Sequence, residues 1–257
     1  MKTTILTSSL DFYDKDEFGN RTPHQFPNLN GVVDMIKSTV KNYNNFLFVA
    51  SNETAYELTD LYANCTFKSF DLTLPFKKYS ILDGRTKNKA KELINNADFI
   101  FLCGGHVPTQ NAFFNNINLK KLLKNYNGVI CGGSAGSMNC ANVVYCPPEL
   151  DGEALDPNFK RYYDGLGLTD INVMPHFQDM KDVILDGMQY LTDILLPDSH
   201  KTKMIAINDG SYIVCSNGKE TLYGEAYLLS NGKVELICEN NKKLDITGRN
   251  SQKHREK

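Results

Sequence analysis

Hydrophobic and polar positions alternate along the first two thirds of the chain between short apolar runs, typical of buried strands, and longer stretches with helical spacing. The expected strands are Thr4–Thr7, Phe46–Ala50, Phe67–Leu72, Tyr79–Leu82, Phe99–Cys103, Val129–Cys131 and Ile171–Met174. The expected helices cover roughly 30–43, 53–64, 86–96, 108–125 and 178–195, with another directly after Ser134. This succession predicts an α/β fold in which helices cover both faces of a mainly parallel sheet.

The C-terminal part changes to strands without intervening helices. The expected strands are Met204–Ile207, Ser211–Ser216, Thr221–Leu229 and Val234–Cys238. Asn-Gly pairs at 217–218 and 231–232 are strong signals for tight hairpin turns. We therefore expect an antiparallel hairpin extension at one edge of the sheet, within a single domain over residues 1–257. Residues 142–170 lack periodicity, and a long irregular loop of this kind is usually functional.

Composition narrows the class of protein. A formal net charge of −2 gives no general attraction to nucleic acid or to an anionic membrane, and no apolar run approaches the length of a membrane span. The seven cysteines lie mostly inside apolar segments and lack Cys-x-x-Cys spacing, which favours reduced core residues over zinc ligands. The amino terminus is too weakly apolar for a signal peptide. We expect a cytoplasmic protein without a metal or an organic cofactor.

The most informative motif is a Gly-x-Ser-x-Gly sequence, in which Gly132 and Gly136 flank Ser134. It follows an apolar strand and precedes a helix, the arrangement that exposes a nucleophilic serine at the end of a strand. The helix N-terminus would stabilise an oxyanion formed beside Ser134. The alternative is a glycine-rich turn that cradles a phosphate.

A serine nucleophile needs a base, and His176 follows the expected strand Ile171–Met174. In a parallel sheet this strand end would lie at the same edge as Ser134. The segment Cys103-Gly104-Gly105-His106 also leads from a strand into a helix. We predict that the N–H groups of Gly105 and Ala135 form an oxyanion hole, unless the glycines only make a tight turn.

Together, Gly104-Gly105, Gly133-Ser134-Ala135-Gly136 and the segment 165–168 leading to Met174-Pro175-His176-Phe177 resemble serine peptidases that include aspartyl dipeptidase (peptidase E) and cyanophycinase. The resemblance spans roughly residues 98–216. It implies a flavodoxin-like fold similar to that of class I glutamine amidotransferases, with serine in place of their cysteine nucleophile. It also implies that Ser134 is the nucleophile and His176 the general base.

The resemblance further implies an acid in the loop after the nucleophile helix. Glu149, fifteen residues beyond Ser134, best matches the spacing in aspartyl dipeptidase, and Glu153 is the second choice. Asp209 stands before a glycine, where the family often has an acid. It is either a turn residue or a ligand for a substrate amino group.

Two departures bear on specificity. Cys103-Gly104-Gly105-His106 replaces Gly-Gly-Gly-Asn of aspartyl dipeptidase, and residues 142–149 contain no basic side chain that could pair with an acidic substrate. The cations that could reach Ser134 are Arg85, Arg161 and His106, of which Arg161 lies in the irregular loop. We expect short peptides with a free amino terminus as substrates, and a weaker preference for Asp than aspartyl dipeptidase has.

The sequence therefore predicts a serine peptidase that cleaves peptide or isopeptide bonds of small peptides through a Ser134-His176-Glu149 triad and an acyl-enzyme. One alternative is a serine esterase or amidase, although Ser134 and His176 are only 42 residues apart, unlike the pair in α/β-hydrolases. Another is a catalytically silent binding module on the same fold. The oligomeric state stays open.

Overall fold

The computed structural model describes residues 2–248 and has an eight-stranded sheet at its centre. The strands are β1 (Thr3–Thr7), β2 (Tyr13–Lys15), β3 (Arg21–Pro23), β4 (Asn45–Val49), β5 (Lys78–Leu82), β6 (Phe99–Leu102), β7 (Val129–Gly133), β8 (Val143–Tyr145), β9 (Tyr162–Asp164), β10 (Val173–Met174), β11 (Ile184–Leu185), β12 (Met188–Gln189), β13 (Met204–Ile207), β14 (Tyr212–Ser216), β15 (Lys219–Tyr223), β16 (Ala226–Ser230), β17 (Lys233–Cys238) and β18 (Lys243–Asp245). The α-helices are α1 (Val32–Thr39), α2 (Tyr56–Thr73), α3 (Ala90–Asn96), α4 (Val107–Asn116), α5 (Leu119–Leu123), α6 (Ala135–Met138), α7 (Phe177–Met180) and α8 (Leu196–Asp198). Short 3₁₀ turns precede α1 and α3, and a π-helical turn precedes α8.

The central sheet is mainly parallel. Its strand order is β18-β15-β14-β1-β7-β6-β4-β5. The five neighbouring strands β1, β7, β6, β4 and β5 run parallel to one another. The other three strands, β14, β15 and β18, are antiparallel and extend the sheet beyond β1. The mixed α/β architecture predicted from the sequence is therefore present.

Alternating side chains of the parallel strands fill a separate core on each face of this sheet. Phe46 and Phe48 of β4 face α1 and α2, whereas Leu47 and Val49 face α3, α4 and α5. Both faces are apolar because helices cover both, which is typical of parallel sheets.

A second sheet has the strand order β10-β13-β16-β17. It packs on the face of the central sheet that α3, α4 and α5 cover. Its strands β10 and β13 are parallel, and Ile205 and Ile207 of β13 share a core with Leu6 and Ile213 of the central sheet. The expected extension at one edge is thus divided between two sheets. The expected strand Thr221–Leu229 is likewise two strands, with β15 in the central sheet and β16 in the second.

One predicted strand and one predicted helix were wrong for identifiable reasons. The segment 67–72, expected as a strand, belongs to α2, since Ala63, Thr66 and Phe70 recur at helical spacing on its buried face. The expected helix 178–195 is interrupted by the β11–β12 hairpin. Its two-residue turn is Asp186-Gly187, where both residues have positive φ (53° and 80°).

Candidate active site

Ser134 lies in the turn between β7 and α6. Its backbone has φ 50° and ψ −119°, a strained conformation for a residue with a side chain, and its N–H donates to the carbonyl oxygens of Thr7 (3.1 Å) and Ser8 (3.0 Å). The flanking glycines are needed for space. A Cβ at Gly132 would lie 2.6 Å from the nitrogen of Ser137, and one at Gly136 would collide with the carbonyl oxygen of Leu102. The turn therefore has the geometry of a nucleophile elbow.

His176 contacts Ser134 directly. The distance between His176 Nε2 and Ser134 Oγ is 2.9 Å, so the imidazole can accept the hydroxyl proton. His176 stands two residues after β10, which belongs to the second sheet rather than to the central one. Its backbone is left-handed (φ 55°, ψ 34°), and its N–H donates to Ser8 Oγ at 2.7 Å.

The acid that contacts the other nitrogen of His176 is Asp209. Its Oδ1 lies 2.8 Å from His176 Nδ1, and the buried Ser8 Oγ donates a hydrogen bond to the same oxygen. The side chain of Gln178 accepts the N–H of Asp209 at 3.0 Å. Although burial works against ionisation, the hydrogen bonds from His176 and Ser8 hold the pKa of Asp209 below its ordinary value.

The pairing of β10 with β13 explains why these residues meet. The two strands are parallel, with Met174 opposite Ala206, and His176 and Asp209 follow at their carboxyl ends. Ser8 follows β1 of the central sheet. Its hydroxyl therefore joins the two sheets at the site, and the sequence reasoning did not find it.

Glu149, the acid expected from the spacing, occupies a different position. Among residues 2–248 its carboxylate makes no hydrogen bond to His176, so the contact expected of Glu149 is made by Asp209 instead. Burial and the neighbouring charge of Glu153 raise the pKa of Glu149 to about 7, while His176 opposes this rise. The loop holds Glu149 there because Glu153 Oε2 accepts the N–H groups of Glu149 (2.8 Å) and Leu150 (3.0 Å).

Glu153 also connects this loop to the glycine turn after β6. Its Oε1 lies 3.3 Å from His106 Nε2, and His106 Nδ1 lies 2.8 Å from Thr109 Oγ1. His106 is thus engaged by a carboxylate of the protein itself. Glu149, Glu153 and His106 form a polar group on one side of the candidate site.

The glycine turn approaches the nucleophile closely. A Cβ at Gly104 would lie 3.2 Å from Ser134 Cβ, and Gly105 has φ 152°, a value that favours glycine. Within residues 2–248, the N–H groups of Gly105 and Ala135 have no acceptor on the protein. Both are therefore available to an oxygen atom bound beside Ser134.

A cavity of about 430 Å³ opens next to Ser134 and His176 and also includes Gly105 in its lining. The two expected arginines lie elsewhere in ion pairs. Arg161 is 3.1 Å from Asp198, and Arg85 binds Asp60 and Asp83. Neither arginine lines the cavity.

Within the described part of the chain, no group of three or more His, Cys, Asp or Glu residues is arranged to hold a metal ion. None of the helices in residues 2–248 is long and apolar enough to cross a membrane.

Comparisons with known proteins give a family and a fold. The family model for Peptidase family S51 matches residues 18–223. A peptidase from an acI-B1 Actinobacterium superposes with a TM-score of 0.65 at 15% identity, over 95% of this chain and 96% of that chain. A Listeria monocytogenes EGD-e protein assigned to peptidase E superposes with a TM-score of 0.50 at 17% identity, over 92% and 98%. No curated protein matches this sequence. At 15% and 17% identity, the two superpositions show similarity of fold alone.

Proposed function

This chain belongs to peptidase family S51 and is a peptidase, and we propose that it hydrolyses small peptides with Ser134 as the nucleophile. The observation that carries the proposal is the hydrogen-bonded series Ser134 Oγ, His176 Nε2, His176 Nδ1 and Asp209 Oδ1, with distances of 2.9 and 2.8 Å. Nucleophile, base and orienting acid in this order are the requirements for acyl transfer at a serine.

In the proposed mechanism, His176 takes the proton of Ser134 Oγ as the oxygen attacks the peptide carbonyl carbon. Asp209 accepts the Nδ1–H of His176, fixes the tautomer and stabilises the imidazolium. The N–H groups of Gly105 and Ala135 bind the oxyanion. His176 then protonates the leaving amine as the C–N bond breaks, and a water molecule, activated by His176, hydrolyses the acyl-enzyme.

The same proposal includes a free amino terminus on the substrate. Glu149 carries a raised pKa because its carboxylate is partly buried beside Glu153 without a full positive counter-charge. A substrate ammonium group would supply that charge and favour the ionised carboxylate. Glu149 and Glu153 therefore serve as the site for the amino group, a role that the sequence had left open for Asp209.

Further features support the finer assignments. When the strands are counted from β4, the neighbouring strands β5-β4-β6-β7 have the order 2-1-3-4, which is the order in flavodoxin-like sheets. This order supports a glutamine amidotransferase-like core. The seven cysteines are free thiols, which supports a reducing compartment such as the cytoplasm. Arg161 is engaged by Asp198, which argues against its selecting an acidic substrate side chain.

The test combines covalent labelling with hydrolysis. A fluorophosphonate should label the wild-type protein at Ser134, and Ser134→Ala should lose both the label and about 10³-fold or more of the activity, because no other group replaces the nucleophile. The melting temperature should stay nearly unchanged. Ser38→Ala, which removes an exposed serine of α1, is the matched control and should behave as wild type.

Dipeptides and their N-acetylated forms, assayed in parallel, test the amino-group site. Free dipeptides should be the better substrates. Labelling at a residue other than Ser134 would refute the nucleophile assignment. Equal cleavage of acetylated peptides would refute the amino-group site, and cleavage of esters alone would identify an esterase.

A further inference from the structure

One wall of the cavity beside Ser134 is apolar, and the proposed mechanism does not use it. Phe12, Leu58, Tyr62 and Phe101 line this wall, together with Tyr13 at the start of β2. We call these five residues the aromatic wall. They come from three separate elements, β6, α2 and the segment leading into the β2–β3 hairpin.

The aromatic wall is held in place by its own packing. The rings of Phe12 and Phe101 meet edge to face with centroids 5.5 Å apart. The Arg21 guanidinium lies over the rings of Tyr13 and Tyr62, at 5.3 and 4.8 Å, and donates to the Tyr62 hydroxyl at 3.1 Å. The hairpin is thereby tied to α2, and the wall is preorganised before a ligand arrives.

The charges of the cavity lining disfavour an acidic ligand. Its lining contains no lysine or arginine and one carboxylate, that of Asp11. A carboxylate on a substrate side chain would lie close to the like charge of Asp11. Arg21, which is stacked on Tyr13 and Tyr62, does not line the cavity, so burying that carboxylate is costly. An uncharged apolar group would instead cover surface that now faces solvent, including Leu58, of which 51% is exposed.

The position of the aromatic wall relative to the reacting atoms indicates which part of a substrate it meets. His176, which protonates the leaving amine, lines the same cavity, and so does Ser8. Glu149 and Glu153 do not line it. With the substrate amino group at Glu149 and Glu153, as proposed above, the cavity is left for the part of the substrate on the leaving-group side of the scissile bond.

We propose that the aromatic wall binds the side chain of the residue that follows the scissile bond, and that it selects large uncharged side chains, aromatic ones above all. The inference rests on the proposed peptidase function. It assigns to this enzyme short peptides that have a free amino terminus and a second residue such as Phe, Tyr or Leu.

The experiment compares second residues at a constant first residue. The substrates are dipeptide amides, so that no α-carboxylate enters the cavity. For wild type, kcat/KM for Ala-Phe amide should exceed that for Ala-Ala amide by at least about 10-fold, because burying an aromatic side chain stabilises the bound state by that order. Ala-Asp amide should be the poorest of the three. Leu58→Asp, which places a carboxylate in the aromatic wall, should lower the Ala-Phe to Ala-Ala ratio about 10-fold. Leu72→Asp is the matched control, since Leu72 is an exposed leucine of the same helix outside the cavity, and it should leave the ratio unchanged.

A second measurement does not depend on turnover. Calorimetry should detect binding of L-phenylalaninamide to wild type and Leu72→Asp and a loss of about 10-fold or more in affinity for Leu58→Asp. Hydrolysis without a preference for Phe, or a preference that Leu58→Asp leaves intact, would overturn the aromatic subsite while the peptidase function stands. Binding that responds to Leu58→Asp in a protein that hydrolyses no peptide would uphold the subsite and refute the function.

Discussion

Two carboxylates influence His176 from different parts of the chain, and their surroundings change their proton affinities in opposite directions. Asp209 accepts hydrogen bonds from His176 and Ser8, and its pKa is lowered although it is partly buried. Glu149 is also partly buried, but the charge of Glu153 adds to the effect of burial, and the pKa of Glu149 is raised to about 7. Burial alone therefore does not decide ionisation. Hydrogen-bond donors to the ionised carboxylate outweigh desolvation at Asp209, whereas within residues 2–248 no such donor contacts the Glu149 carboxylate.

The opposite pKa shifts of Asp209 and Glu149 suit the two different roles proposed for these residues. A group that must stay ionised while it orients a base benefits from fixed donors, which Asp209 receives from residues at the ends of β1 and β10. A group that must receive a cation benefits from a desolvated and unpaired carboxylate, which Glu149 provides. Replacing each carboxylate in turn by its amide tests whether the two acids have these different roles.

The largest effect is expected from Asp209→Asn. The amide cannot hold the Nδ1–H tautomer of His176 or stabilise its positive charge, so kcat should fall by about 10³- to 10⁴-fold with little change in KM. Glu149→Gln is the comparison variant and should lower kcat far less, with its main effect on KM for peptides with a free amino terminus. Steady-state kinetics of both variants decide the matter, and the reverse ranking would return the orienting role to Glu149.

A smaller effect is expected on stability, from Glu149→Gln. Well below pH 4.5 the Glu149 carboxyl group is protonated in the folded and the unfolded chain and does not change the free energy of unfolding. As the pH rises towards 7, the unfolded chain ionises first, so stability is lost progressively across this window. The difference between 4.5 and about 7 corresponds to at most about 3.5 kcal/mol, an upper bound because solvent reaches part of the side chain.

Denaturant unfolding of both proteins from pH 4.5 to 8.5 measures this effect. Glu149→Gln cannot ionise and should therefore become more stable than wild type as the pH rises. Asp151→Asn, which removes an exposed carboxylate of the same loop, is the control for a general charge effect. A constant difference between Glu149→Gln and wild type over the whole range would mean that the Glu149 carboxylate is not desolvated.

The sequence predicted the parts of this site that are encoded locally. The turn at Ser134 is continuous along the chain, since a strand, two glycines and a helix follow one another, and the family match confirms the resemblance to peptidase E that these motifs indicated. The pairing of His176 with Asp209 is not local. It depends on β10 and β13 lying side by side in a second sheet, and neither segment by itself specifies which strand it pairs with.

A signal for Asp209 was nevertheless present. The sequence Ile207-Asn208-Asp209 ends a strand as Met174-Pro175-His176 does, and two such strand ends can meet if their strands pair. Spacing from Ser134 pointed to Glu149 instead. The helix α2 shows the same limit for the fold, because tertiary packing of Phe70 against the sheet overrides the strand-like composition of 67–72.

The smallest effect, and the one that tests the comparison most finely, is expected from Ser8→Ala. Ser8 touches no substrate atom in the proposed mechanism and acts as a positioning residue, because its hydroxyl donates to Asp209 and accepts the N–H of His176. Its loss should lower kcat about 10-fold, the order of one hydrogen bond, and KM should change little. It should also raise the pKa of Asp209, which an NMR titration of the carboxyl carbon measures, because the hydrogen bond from Ser8 stabilises the ionised carboxylate. Ser8→Thr retains the hydroxyl and should recover most of the rate and the wild-type pKa of Asp209. If Ser8→Ala and Ser8→Thr lose activity equally and neither raises the pKa of Asp209, packing at the junction of the two sheets is the role of Ser8, and the low pKa of Asp209 depends on its other donors.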